Sequence, residues 1–203
     1  MKVMIEGPAG LLEASAEEGS GANAPYALIC HPHPLFGGTM DNKVVTTVAR
    51  ALGACGMPTI RFNFRSIGAS AGTYDDGRGE TQDAAAVAAW GAQRWPARPV
   101  VIAGFSFGAY VAMRLAQTLI PARLITIAPP IGRFEFTAFS APDCPWLIVQ
   151  GEADDVVDPQ AVRIWAGVHG PKAHLVMLAG VGHFFHGHLV GLRDAIETEI
   201  RSG

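Results

Sequence analysis

Residues 100–113 read VVIAGFSFGAYVAM, and the corner in the middle of this stretch decides the fold. Val100 to Ala103 are apolar and mostly β-branched, the composition of a buried strand. From Ala109 the chain continues as an unbroken helical run. Between them lies Gly104-Phe105-Ser106-Phe107-Gly108. A strand that feeds straight into a helix must turn sharply. Side chains two residues either side of the serine would meet neighbouring backbone, and glycine removes them. The turn lifts the Ser106 hydroxyl above the strand, beside the amides and positive dipole end of the helix that follows.

Outward from this corner the chain alternates. Strands are expected at residues 2–5, 11–15, 26–30, 59–64, 99–103, 124–128, 146–150 and 174–178. Helices are expected at 42–54, 81–95, 109–119, 159–168 and 184–201. Strands alternating with helices imply a mostly parallel central sheet with helices on both faces, an α/β fold. Of the 203 residues 49% are hydrophobic and 16% charged, so residues 1–203 are expected to form a single domain with a large core. A net charge of −3 without a Lys/Arg cluster argues against nucleic acid as a partner. No apolar run reaches membrane-spanning length, and Glu6 and the following Gly-Pro pair come too early for a signal peptide. Cys30, Cys55 and Cys144 form no disulfide or CxxC pattern, so a cytoplasmic location is expected.

In open α/β sheets chemistry sits beyond the carboxyl ends of the strands. Gly-x-Ser-x-Gly between strand and helix is the nucleophile elbow, with an incidental serine in a Gly-rich turn as the plain alternative. A serine needs a base, and an acid to orient that base. After residues 146–150 comes GEADDVVDP, offering Glu152, Asp154, Asp155 and Asp158. Asp158 before Pro159 reads as a helix cap, and spacing does not separate the other three. After residues 174–178 comes AGVGHFFHGH. His183 stands first after the Gly180-Val181-Gly182 turn, whereas His186 and His188 read as surface or packing residues. HFFHGH lacks the HExxH metal pattern, so no metal is expected. An oxyanion hole needs two amides. Phe107, next to the serine, supplies one. The loop HPHPLFGGTMDN offers the amides of His33, Leu35 and Phe36, since Pro32 and Pro34 have none.

Together HPHPLFGGTMDNKVV, RFNFRSIGASAG, GFSFGAY, IAPP, GEADDVVDP and GHFFHGHL resemble the α/β-hydrolase superfamily. The particular resemblance is to small capless hydrolases related to dienelactone hydrolase, and it runs from about Tyr26 to the chain end. It implies the α/β-hydrolase fold without a cap domain. It implies a triad of Ser106, Asp154 and His183, the family's acid standing three residues after the glycine matched by Gly151. It also favours His33 as second oxyanion donor, because His31-Pro32 matches the family's His-Gly pair. Two departures stand out: serine replaces the cysteine of dienelactone hydrolases proper, and Pro32 replaces a common glycine. The implied activity is hydrolysis of a small-molecule ester, with no cofactor. A thioesterase, an acyltransferase or a non-catalytic binding protein are the alternatives, and a homo-oligomer is left open. Leu35, Phe36, Phe105, Ile131 and Phe184, with the Phe107 side chain, flank these motifs as an apolar lining that favours an uncharged acyl group. Only residues 131–144 separate two strands where a cap would insert, which is too short for a helical lid.

Overall fold

A computed structural model describes residues 1–202. Its eight strands lie in one sheet in the order β1-β2-β4-β3-β5-β6-β7-β8. The hairpin β1 (Lys2–Gly7) and β2 (Gly10–Glu17) is antiparallel, and β2 also runs antiparallel to β4 (Thr59–Phe62). From β4 through β3 (Tyr26–Cys30), β5 (Val100–Phe105), β6 (Arg123–Ile127), β7 (Trp146–Gly151) and β8 (Ala173–Leu178) all pairings are parallel.

The reason lies in the residues. β3, β5 and β7 are buried along their whole length and read as continuous apolar runs, as strands covered on both faces must. β2 instead alternates: Leu12, Ala14 and Ala16 face the core, and Leu11, Glu13 and Ser15 do not. Two apolar clusters flank the sheet. On one face α2 (Arg78–Arg94), α3 (Phe107–Leu115) and α4 (Pro159–Val168) cover Leu28, Ile60, Ile102 and Trp146. On the other, α1 (Lys43–Ala54) and α5 (Leu189–Ser202) cover Ile29, Val101, Phe105 and Leu147. Neighbours along β5 thus point to opposite clusters, the period of two that a strand dictates. Trp146 is wholly buried, and its indole N–H is satisfied by Thr126 Oγ1 at 2.9 Å.

Several boundaries differ from the sequence expectation, each for a visible cause. β4 stops at Phe62, two residues early, because the Phe64 amide donates to His31 Nε2 at 3.0 Å and leaves the ladder. α2 begins earlier than expected because Glu80 accepts from the amides of Asp75 and Gly77 at 2.9 and 2.8 Å. The last helix starts at Leu189 instead of Phe184. Gly180, Phe185 and Gly187 hold φ of 71°, 54° and 75°, which no right-handed helix accommodates. Residues 128–145 contain no helix. Phe134, Phe136 and Phe139 of this segment pack on the Tyr110 ring, with centroids 4.7, 5.5 and 5.6 Å away. Among the described residues no helical cap covers the carboxyl ends of the strands. Among the described residues, no helix is long and apolar enough to cross a membrane.

Candidate active site

The corner after β5 is as tight as its glycines require. A Cβ on Gly104 would lie 2.1 Å from the Gly108 carbonyl oxygen. A Cβ on Gly108 would lie 2.3 Å from the Cys30 carbonyl oxygen. Neither leaves room for a carbon atom, so only glycine fits. Ser106 between them holds φ 54° and ψ −119°, a strained backbone for a residue with a side chain. Its amide is tied to the Ile127 carbonyl at 2.8 Å. The Phe107 amide opens α3 and has no acceptor within the helix.

Two further loops meet Ser106. His183 Nε2 lies 3.0 Å from Ser106 Oγ, and His183 Nδ1 lies 2.8 Å from Asp154 Oδ2. A carboxylate can only accept, so Nδ1 carries the proton and the lone pair of Nε2 faces the hydroxyl. Asp154 is buried and fully engaged. Its Oδ2 also accepts from Gln150 Nε2 at 2.9 Å, and its Oδ1 accepts from the amides of Val156 and Val157 at 2.9 and 2.8 Å. Burial is the largest single influence on its carboxyl and pushes the pKa up. The bonds from His183, Val157 and Val156 together outweigh it and hold the group below the usual carboxylate value. The two loops are stitched together: Ala153 donates to the Val181 carbonyl at 3.0 Å, and a Cβ on Gly151 would lie 2.2 Å from that same oxygen.

The competing acids and histidines have other places. Glu152 pairs with Arg163 at 3.2 Å on the surface, Asp155 is exposed, and Asp158 caps α4 through the Gln160 amide at 2.9 Å. His186 and His188 are exposed. Among the described residues no three His, Cys, Asp or Glu side chains are grouped as they would be to hold a metal ion.

The His-Pro-His-Pro loop is built around two neutral imidazoles. His31 Nε2 accepts the Phe64 amide, so its proton sits on Nδ1, which donates to the Pro32 carbonyl at 2.6 Å. Complete burial pushes the His31 pKa down to about 3. His33 Nδ1 accepts the Leu35 amide at 3.2 Å, so its Nε2 donates to Tyr74 Oη at 3.2 Å. These bonds sort the three candidate donors. Leu35 gives its amide to His33 Nδ1, and Phe36 gives its amide to the His33 carbonyl at 3.1 Å. The His33 amide has no acceptor among the described residues.

His31 carries a pH prediction. In the unfolded chain it takes up a proton near 6.5, in the folded chain only near 3. Between those values unfolding binds a proton. The stability that His31 contributes is therefore fully present above about pH 6.5 and is lost as pH falls, by up to about 1.4 kcal/mol per pH unit. Asp154 acts lower still, its contribution disappearing only as pH falls through its depressed folded value. Urea unfolding at pH 7, 6 and 5 will show wild-type stability falling, with a shallower fall for His31→Gln. Equal slopes in the two proteins would mean that His31 is not held neutral.

Ser106 and His183 open onto a cleft of about 290 Å³ lined by Pro32, His33, Phe36, Asn42, Arg133, Val156 and Phe184, among others. Of the expected apolar lining, Phe36 and Phe184 are present. Leu35 is exposed but outside the cleft, Ile131 packs against the core, and Phe105 is fully buried beneath His183 with ring centroids 5.3 Å apart. The Phe107 ring is likewise buried, against His33, and does not line the cleft. Arg133 and Val156 join the lining without a signal in the sequence. Arg133 sits in the irregular segment after β6, where no spacing rule says which side chain turns inward, and Val156 follows the acid in a loop whose carboxylates alone stand out. A larger surface hollow of about 470 Å³, between Cys144, Lys172, His174 and Glu199, lies at the opposite end of β7 and β8, where Cys144 is buried and His174 Nδ1 lies 2.6 Å from Glu199 Oε2.

Comparison with known proteins agrees with this architecture. The model of a family described as an alpha/beta hydrolase domain matches residues 30–188. A lidless α/β serine hydrolase from Xanthomonas campestris superposes with a TM-score of 0.92 at 43% identity, over 100% of this chain and 94% of the other. An α/β serine hydrolase homologue from Coxiella burnetii superposes with a TM-score of 0.94 at 42% identity, over 98% and 96%. An uncharacterized protein of Rickettsia prowazekii is 34% identical over 194 residues, which is 91% of this chain and 82% of that one.

Proposed function

The chain belongs to the alpha/beta hydrolase domain family, and on that premise we propose that it hydrolyses small carboxylic esters through an acyl-enzyme on Ser106. The observation that carries the reading is the unbroken run of hydrogen bonds from Asp154 through His183 to Ser106. Ser106 Oγ attacks the ester carbonyl while His183 Nε2 takes its proton. Asp154 keeps the imidazole in the receptive tautomer and stabilises the imidazolium. The carbonyl oxygen becomes negative, and the free amides of Phe107 and His33 receive it. Losing one such donor costs about 3 kcal/mol of transition-state stabilisation. Collapse expels the alcohol, which takes the proton from His183. A water molecule then gives its proton to His183, attacks the acyl-enzyme and releases the acid, restoring Ser106.

The open cleft sets the substrate size. An acyl chain gains about 0.8 kcal/mol for each CH₂ that the protein covers, and nothing for those it does not. With no lid, coverage ends within a few carbons. Values of kcat/KM across aryl esters from acetate to palmitate are expected to peak at short chains and fall thereafter. A steady rise toward palmitate would reveal a covered acyl tunnel and defeat this part of the reading. The same series with thioesters and amides separates an esterase from a thioesterase. Labelling of Ser106 by a fluorophosphonate separates either from a binding protein.

A further inference from the structure

Of the side chains named in the cleft lining, only Arg133 carries a permanent charge. Arg133 is exposed, lines the same cleft as Ser106 and His183, and has no ion-pair partner among the described residues. It is nevertheless held. Its Nε and Nη2 both donate to the Val156 carbonyl, at 3.1 and 2.8 Å. A guanidinium has five N–H donors in a fixed plane. Two are spent on that carbonyl. The two on Nη1 and the second on Nη2 remain, and they form the edge that receives a planar carboxylate through paired bonds. The other groups named in the lining bring no anion to meet it: Asn42 is uncharged, and His33 is held neutral by its bonds. Asp154, the carboxylate that holds His183, is buried behind it with both oxygens occupied.

We propose that Arg133 makes the cleft selective for esters that carry a carboxylate on one arm, such as half-esters of dicarboxylic acids. The ester group sits at Ser106, the carboxylate meets the free edge of Arg133, and the methylenes between them lie along Phe184 and Val156. This rests on the esterase reading above and deepens it: Phe184 and Val156 cover the middle of the substrate, and a cation holds its end. The same guanidinium also links the segment after β6 to the acid loop through Val156. Loss of that link would slow all esters alike, whereas loss of an anion site changes the ratio between charged and uncharged esters.

The ratio is therefore the measurement. Monomethyl adipate and methyl hexanoate have acyl chains of equal length and differ in the terminal carboxylate. Their kcat/KM values are compared in wild type and Arg133→Met by titrating released acid at constant pH. The adipate-to-hexanoate ratio is expected to fall about tenfold or more in the variant, mainly through KM, the size of a hydrogen-bonded charge pair. In parallel, monomethyl adipate is titrated calorimetrically into Ser106→Ala and into Ser106→Ala/Arg133→Met, where no turnover is needed, with about tenfold weaker binding expected in the double variant. An unchanged ratio, or equal affinity in the two Ser106→Ala proteins, overturns the proposal. Should wild type hydrolyse neither ester, the esterase reading fails, and the calorimetric pair still decides whether Arg133 holds the carboxylate.

Discussion

Ser106→Ala is expected to hydrolyse activated aryl esters about 10⁶-fold more slowly than wild type, while folding as wild type does. The size of the loss follows from the roles assigned to the site. Without Oγ there is no acyl-enzyme, and the histidine and the oxyanion amides have no attacking atom to assist. The fold should survive because alanine keeps the Cβ that serine already carries at φ 54°. The strain is unchanged, and alanine gives up only the 3.0 Å hydrogen bond to His183. One hydrogen bond is worth about 1 kcal/mol, which in a domain of this size moves the melting temperature by no more than about 4 °C. Single-turnover kinetics and a thermal melt of the same sample test both halves. Residual turnover within about tenfold of wild type, in a folded sample, would remove Ser106 from the chemistry.

Asp154→Asn is expected to cost about 10⁴-fold in kcat, and Asp155→Asn almost nothing. The introduced amide must turn its oxygen toward the amides of Val156 and Val157, which now donate to Oδ1. That puts NH₂ where Oδ2 accepts from His183 Nδ1 and from Gln150. A donor facing Nδ1 drives the imidazole proton to Nε2, and the lone pair needed by Ser106 is lost. Gln150 can adapt. Its Oε1 is buried without a partner, and a flip of its amide would let that oxygen accept from the new NH₂. The variant should therefore lose activity far more than stability, while exposed Asp155 has no such position to disturb. Equal losses in the two variants, or a larger one at Asp155, would reassign the acid.

The legibility of this chain varies with the physics behind each feature. The elbow can be read because backbone approaches near 2 Å leave only glycine, so the constraint is written in residue type. The strands β3, β5 and β7 can be read because burial on both faces demands continuous apolar runs. The choice among Glu152, Asp154 and Asp155 cannot be read from spacing. It depends on which carboxylate turns inward to meet two loop amides and Gln150, and three neighbouring acids look alike to any local rule; the family resemblance supplies the choice. The choice between the His33 and Leu35 amides likewise turns on a tertiary detail, the capture of the Leu35 amide by the His33 ring. The start of α5 escapes a sequence reading because Phe185, at φ 54°, is no residue that signals a left-handed turn. Arg133 escapes it because its direction is set by a carbonyl 23 residues away in the chain.

The corner after β5 is main chain lying on main chain, Gly104 on Gly108 and Gly108 on Cys30. The shape of this corner is in this way independent of the side chains that line the cleft. On the proposed mechanism, the atoms that set the angle of attack belong to the backbone and are fixed by those glycines. The cleft-lining residues Phe36, Arg133 and Phe184, which the proposed function sets against the substrate, stand on three different loops with no part in that stack. Each of the three can be substituted singly without touching the backbone contacts that hold the corner.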